Sequence, residues 1–258
     1  MEFNSLWISL SAGLVGCEQL NTVCIATYNG ASYIVEQLQS ILSQLDPEDE
    51  VLIGDDGSTD ATLDLVRHVG DPRVTIFVND KNLGHVRNFE SLIERAQGNI
   101  IFLSDQDDVW FPNKYSFIVK FFGDNKTTSV FHHALLKMDG DGELIDLINN
   151  PIAQWRLRHP LCAQLTKSYV FGCCLAFRSD VKDILLPFPR SVYAHDHWIA
   201  LVAAFLGGFY HYDEPLLRYR VHGKNLTPKR PLPLSVQIRI RLRQFIHVAE
   251  ILRRKVLK

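Results

Sequence analysis

Two strings of acidic residues carry the clearest chemistry in the chain: Gly54-Asp55-Asp56-Gly57-Ser58-Thr59-Asp60 and Ser104-Asp105-Gln106-Asp107-Asp108-Val109-Trp110, each closing a short apolar run. Carboxylates gathered this closely repel one another, and folded proteins keep them together mostly where a cation or hydrogen-bond donors share the site. Oxygen donors favour magnesium, manganese or calcium over zinc or copper, and magnesium commonly joins a carboxylate pair to substrate phosphates. The first string has a second use. One of its carboxylates is suited to accept the ring N–H of a uracil or thymine base, Gly57 permits a turn, and Asp60 is placed to cap the next helix. A plain surface turn with a cap is the competing reading of that string taken alone.

Such strings act together only if the fold brings them to one edge. From Thr22 onward, β-branched runs alternate with segments of helical period, the pattern of βαβ units around a mostly parallel sheet. Strands are expected over 23–27, 50–53, 74–78 and 100–103, and helices over 33–45, from Asp60, over 86–96, and from beyond Pro112 to Phe122. In the first of these helices Ile34, Leu38, Ile41, Leu42 and Leu45 share one face. A hairpin about Asp139-Gly140-Asp141-Gly142 and an apolar strand over 169–177 follow in a less regular second half. Ligands of such sheets bind at the carboxyl ends of the strands, where both acid strings fall.

Other phosphate chemistries lack their signatures. There is no G-x-x-x-x-G-K-[ST], no G-x-G-x-x-G after a strand and no H-E-x-x-H. G-x-S-x-G, which a serine hydrolase would need, is also missing.

Taken in order, Ala26-Thr27-Tyr28-Asn29-Gly30, the Asp55–Asp60 string, Asn82-Leu83-Gly84, the Ser104–Trp110 string, Tyr193-Ala194-His195-Asp196-His197-Trp198 and Arg218-Tyr219-Arg220-Val221-His222 resemble the family 2 glycosyltransferases of GT-A fold. The Asp-Gln-Asp-Asp-Val-Trp form is similar to the branch that contains bacterial rhamnosyltransferases. The resemblance implies an α/β, Rossmann-like, doubly wound, mostly parallel sheet with a smaller mixed-sheet acceptor lobe. It implies that Thr27, Tyr28 and Asp56 hold the nucleotide base and Asp105 the ribose or donor sugar. Asp107 with Asp108 would bind Mg2+ or Mn2+ on the diphosphate, His222 would complete the metal shell, and Arg220 would approach the diphosphate. Asp196 matches the base that deprotonates the acceptor hydroxyl, a role used once in an inverting transfer. The implied donor is a dTDP- or UDP-sugar, with rhamnose first, and the implied acceptor a glycan or lipid-linked glycan. A sugar-nucleotide-forming nucleotidyltransferase and a non-catalytic scaffold of polysaccharide assembly are the competing functions.

Several tempting residues read as structure. His132 and His133 adjoin on a strand and so face opposite ways. Cys173 and Cys174 lie in an apolar run suited to a core. His195 and His197 would orient Asp196 or touch the acceptor.

The 258 residues are 47% hydrophobic and 22% charged, a globular balance. Residues 22–230 are expected to form the transferase domain, divided into a nucleotide-binding half over 22–122 and an acceptor half over 123–230. No run approaches the roughly 18 apolar residues of a membrane span. The five cysteines show no C-x-x-C pair, which points to a reducing, cytoplasmic setting. Residues 1–21 read as an extension: Leu14-Val15-Gly16-Cys17 resembles a lipoprotein cleavage box, but the only charge before Cys17 is that of Glu2. The net charge of −2 hides a basic tail after Pro231, in which Arg239, Arg241, Arg243, Arg253, Arg254, Lys255 and Lys258 face Glu250 alone. An acidic body with such a tail is unlike a nucleic-acid binder. The apolar residues interleaved in the tail point to contact with an anionic membrane on its cytoplasmic face, with packing on the body or on a second copy as the alternative.

Overall fold

The computed structural model describes residues 20–148, 159–166, 170–223, 225 and 233–256. The apolar run of the N-terminal extension and residues 226–232 lie outside them. Strands β1 (Thr22–Thr27), β2 (Glu50–Asp55), β3 (Val74–Val78) and β4 (Ile100–Asp105) are parallel and lie in the order β3-β2-β1-β4. Helices α1 (Ile34–Leu42), α2 (Thr62–Val69) and α3 (His85–Arg95) connect them. β1, β2 and β4 are buried on both faces and alternate sides at period two, whereas β3 is a half-exposed edge strand. Val23, Ile25, Val51 and Ile53 pack with Ile34, Leu38 and Ile41 of α1, whereas Cys24, Leu52, Ile101 and Leu103 pack with Phe89, Leu92 and Ile93 of α3.

The sheet continues through the second half of the chain. β8 (Leu175–Arg178) runs antiparallel to β4, followed by β6 (Val130–Met138), β9 (Phe209–Arg220) and β5 (Val109–Trp110), with β7 (Leu144–Ile148) paired to β6 as the expected hairpin. The added pairings are antiparallel except β6 with β9, so the sheet is parallel in its first half and mixed in its second. Helices α4 (Lys114–Asp124), α5 (Pro160–Thr166), α6 (Lys182–Leu185), α7 (His195–Leu206) and α8 (Leu234–Val256) complete the described fold.

Three expectations shift. β2 and β4 run two residues further than their apolar runs, because Asp55 and Asp105 still pair in register with Thr27 and Ala26 of β1. α2 begins at Thr62 instead of Asp60, although the Asp60 carboxylate still accepts the Thr62 N–H at 3.0 Å. The strand expected over 169–177 is reduced to β8 by a 3-10 turn at Gly172–Cys174. At that turn the backbone presses on the His195 ring, and a Cβ on Gly172 would come within 2.4 Å of Nε2.

Candidate active site

The two acid strings meet. The ends of β1, β2 and β4 open into a cleft of about 850 Å3 lined by Thr27, Tyr28, Asp56, Asp105, Asp107 and His222, with Tyr33, His85, Phe89 and Gln106 among the other walls. A nucleotide-sized ligand fits such a volume.

Hydrogen bonds within the motifs explain how the rim holds its shape. Asp55 accepts from the backbone N–H groups of Gly57 and Ser58 and from the hydroxyls of Thr27 and Ser58, which folds the turn back onto β1. Asn29 adopts a left-handed φ of 50°, and its Oδ1 accepts the Thr59 N–H at 2.8 Å. Asp56 accepts from Leu83 N at 2.7 Å, Gly84 N at 2.8 Å and Asn79 Nδ2 at 3.1 Å. A carboxylate has about four lone-pair positions, so three are engaged, two of them in holding the Asn82-Leu83-Gly84 loop, and one is left on a residue that lines the cleft. Tyr28, half exposed, presents its ring above this floor.

On the β4 side, Asp107 and His222 are in contact, Oδ2 to Nε2 at 2.7 Å. His222 stacks on Tyr33 with ring centroids 5.1 Å apart. Asn225 closes the turn after β9 by accepting the His222 N–H at 2.6 Å and donating to Arg220 O at 2.9 Å. Asp105 is pushed up to about 7, first by burial and then by the charges of Asp107 and Asp196, while Lys114 and the Cys173 thiol act in the opposite sense.

Three residues expected at the cleft, Arg220, Asp108 and Asp196, are not among those that line it. Arg220 is buried, and its guanidinium donates to Glu36 Oε2 at 2.6 Å, Asp107 O at 3.0 Å and Gly140 O at 3.1 Å, with Tyr33 4.8 Å below. Those partners draw it away from the cleft, so it shapes the acidic rim from behind. Asp108 is also buried and accepts the Arg220 N–H at 3.1 Å. Among the described residues its carboxylate, that of Asp105 and the Cys173 thiol bring ligating atoms within 4.8 Å of one another. Burial and Asp107 raise Asp108 well above the carboxylate range, and hydrogen bonding to Cys174 with burial raises the Cys173 thiol. Lys114 lies fully buried beside this group, held down to about 8 by burial, and donates to Cys173 O at 2.8 Å. A protonated thiol with a lysine alongside is a poor home for a hard divalent ion; the Asp107 carboxylate, which lines the cleft with His222 beside it, suits Mg2+ or Mn2+ better.

Asp196 stands in the first turn of α7, where its Oδ1 accepts the His197 N–H at 2.7 Å. Asp196 does not itself line the cleft; it lies near enough to Asp105 and His85, which do, to favour the protonated form of each. His195 does not point to an acceptor: it is buried against Phe89, with ring centroids 4.2 Å apart, so its part is to pack the base of α7. His132 and His133 are core residues as expected; His132 Nδ1 meets His211 Nδ1 at 2.7 Å.

The profile of the family described as glycosyl transferase family 2 matches residues 22–185. The chain belongs to this family. An uncharacterised glycosyltransferase of Nostoc is 29% identical over 214 residues, covering 79% of this chain, and the chain spans 65% of that relative's length. The putative teichuronic acid biosynthesis glycosyltransferase TuaG of Bacillus subtilis is 27% identical, with 82% of each chain covered. The GT-A architecture recurs in S. aureus TarS in complex with UDP-GlcNAc, at a TM-score of 0.69 and 19% identity over 91% of this chain and 72% of that one. It recurs too in the mannosyltransferase PcManGT of Pyrobaculum calidifontis in complex with GDP-Man and Mn2+, at 0.60 and 22% over 93% of this chain and 65% of that one.

This family 2 member also uses residues that its motifs concealed. The Gln106 carboxamide bridges the backbone of Tyr28, accepting from its N–H at 2.8 Å and donating to its carbonyl at 3.1 Å, which joins the ends of β1 and β4. Gln37 of α1 donates to Asp105 O at 3.0 Å. His85 follows the positive-φ Gly84 and enters the cleft wall at the start of α3. A glutamine amid acids, and a histidine after a Leu-Gly pair, were the only signals available in the sequence.

Proposed function

We propose that the chain is an inverting, metal-dependent glycosyltransferase that moves a sugar from a nucleoside diphosphate donor to a glycan or lipid-linked acceptor in cell-surface polysaccharide synthesis. The observation that carries this reading is the gathering of Thr27, Tyr28, Asp56, Asp105, Asp107 and His222 around one cleft, with the charge of Asp196 felt at its wall. A relative named for teichuronic acid biosynthesis, and structures of like fold holding UDP-GlcNAc or GDP-Man, support a sugar nucleotide as the ligand.

In this reading the base stacks on Tyr28 and donates a ring N–H to the remaining acceptor position of Asp56, while Thr27 closes the pocket's end. Asp105 takes a hydroxyl of the ribose or donor sugar. Asp107 and His222 would hold Mg2+ or Mn2+, which would supply neutralisation of the charge on the departing diphosphate. Asp196 accepts the proton of the acceptor hydroxyl. One base acting once on the face opposite the leaving group inverts the anomeric centre, through an oxocarbenium-like transition state. Arg220, tied to Glu36 and to the Asp107 carbonyl, keeps the metal-binding turn in register without touching phosphate.

A dTDP-rhamnose donor is the first to try, followed by UDP-hexoses. A lipid-linked acceptor would set the chain at work on the inner face of the plasma membrane. Incubating the protein with a panel of sugar nucleotides and Mn2+ or Mg2+ tests the reading: release of nucleoside diphosphate from at least one donor is expected, and release from none would overturn it.

A further inference from the structure

The sequence leaves the tail two readings, a membrane-binding segment or a helix packed on the body or on a second copy, and α8 presents two unlike faces. Its inner face is docked. Ile251 is fully buried, Gln244 donates to Gln164 O at 2.9 Å, and His247 Nε2 lies 2.9 Å from Ser191 Oγ. Arg254 donates to the carbonyls of Ile184, Leu185 and Pro187. The outer face is largely apolar, with Ser235 and Arg253 the polar residues within it. Leu234, Ile238, Leu242, Phe245, Ile246, Leu252 and Val256 keep between 47% and 82% of their surface exposed. At 3.6 residues per turn they fall within an arc of about 120° on the side away from the body.

The charges border this stripe. Arg239 and Arg243 lie along one edge and Arg241 and Lys255 along the other, and none has a carboxylate partner among the described residues. The helix's one acid, Glu250, is already engaged by Arg253 and Arg254, each at 2.7 Å. An apolar stripe flanked by cations is the pattern of a helix lying in the plane of a bilayer interface, its side chains among the acyl chains and its cations at the headgroups. A second copy placed on the same stripe would set these unpaired cationic borders against one another.

We infer that the outer face of α8 seats the folded protein on an anionic lipid bilayer. No part of the body need unfold, since α8 stays docked through its opposite face. The helix also packs on α7, where Trp198 meets His247 with centroids 5.5 Å apart, and Asp196 lies two residues before Trp198 in that same helix. Seating α8 therefore fixes the position of the proposed base relative to the membrane. This rests on the proposed membrane setting, and the two are separated by measuring donor turnover alongside binding.

The test is co-sedimentation of the full chain with vesicles of phosphatidylcholine alone and of phosphatidylcholine with phosphatidylglycerol. Binding to the anionic vesicles is expected, with little to the neutral ones. Leu242→Ser combined with Phe245→Ser and Ile246→Ser should lower the bound fraction about tenfold or more, and Arg239→Glu with Arg241→Glu should have a like effect at low salt. Both variants should keep the wild-type Tm and nucleoside diphosphate release. Should the triple variant fail to fold, the charge variant alone decides. Absence of binding to anionic vesicles overturns the inference, as does binding that survives both variants. So does a dimer in light scattering that the triple variant dissociates, if vesicles remain unbound. Lost donor turnover with intact vesicle binding would sink the proposed function and leave the seat standing.

Discussion

Asp107 and His222, 115 positions apart in the chain, meet at 2.7 Å on the wall of the cleft. β9 makes this possible: it carries Arg220 back beside Asp108, and Asn225 folds the following turn over it. Asp107→Asn should leave the fold intact and lower turnover about a hundredfold or more, because charge on the leaving diphosphate goes unneutralised. His222→Ala should cost about tenfold, most of it recovered at high Mn2+. Rates over a Mn2+ titration check both.

Asp196→Asn keeps the shape of the α7 N-terminus and removes the proposed base. Turnover should fall by about 10^2 to 10^4, while donor-induced stabilisation in a thermal melt stays at the wild-type level. Loss of donor binding would place Asp196 in the donor site instead.

The cleft rim was largely legible in the sequence, and the residues behind it were not. Period-two and helical patterns place β1 to β4 and their helices to within a few residues, and the acid strings announce themselves by type. Arg220 and Asp108 mislead because a motif shows neighbours along the chain only. Nothing in Arg218-Tyr219-Arg220 says that its guanidinium will meet Glu36 of α1, 184 positions away. Lys114, in the first turn of α4, is buried over Trp110 at 4.1 Å, and its place in the sequence carries no sign of that. Periodicity shows α8 to be amphipathic without showing that Gln244, His247 and Ile251 are the residues that dock it on the body.

Two glycines distinguish rim from core. A Cβ on Gly30 would meet the end of the flexible Gln106 side chain at 2.2 Å, whereas one on Gly98 would meet the Thr22 backbone N at 2.4 Å. Gly30→Ala should therefore cost about 1 kcal/mol or less by swinging Gln106 off Tyr28, and weaken donor affinity. Gly98→Ala should cost on the order of 3 kcal/mol, since a strand end must move. Urea melts with a donor titration separate the two.

Burial holds the His195 imidazole down to about 4, and among the described residues neither ring nitrogen has a hydrogen-bond partner. An unfolded histidine takes up its proton near 6.5, so between these values the unfolded state binds more protons and stability falls as pH is lowered. The contribution is fully present above about 6.5 and lost by about 4, on the order of 3 kcal/mol. His195→Leu should flatten the stability–pH curve across that window, as read by chemical denaturation at several pH values.

Calorimetric titration of dTDP, UDP and GDP into the wild type and Asp107→Asn, each with and without Mn2+, bears most directly on the acidic cleft. At least one nucleotide should bind the wild type far more tightly with Mn2+ than without it, and Asp107→Asn should erase that difference. Binding of none of the three, or binding indifferent both to Mn2+ and to the substitution, would contradict the account.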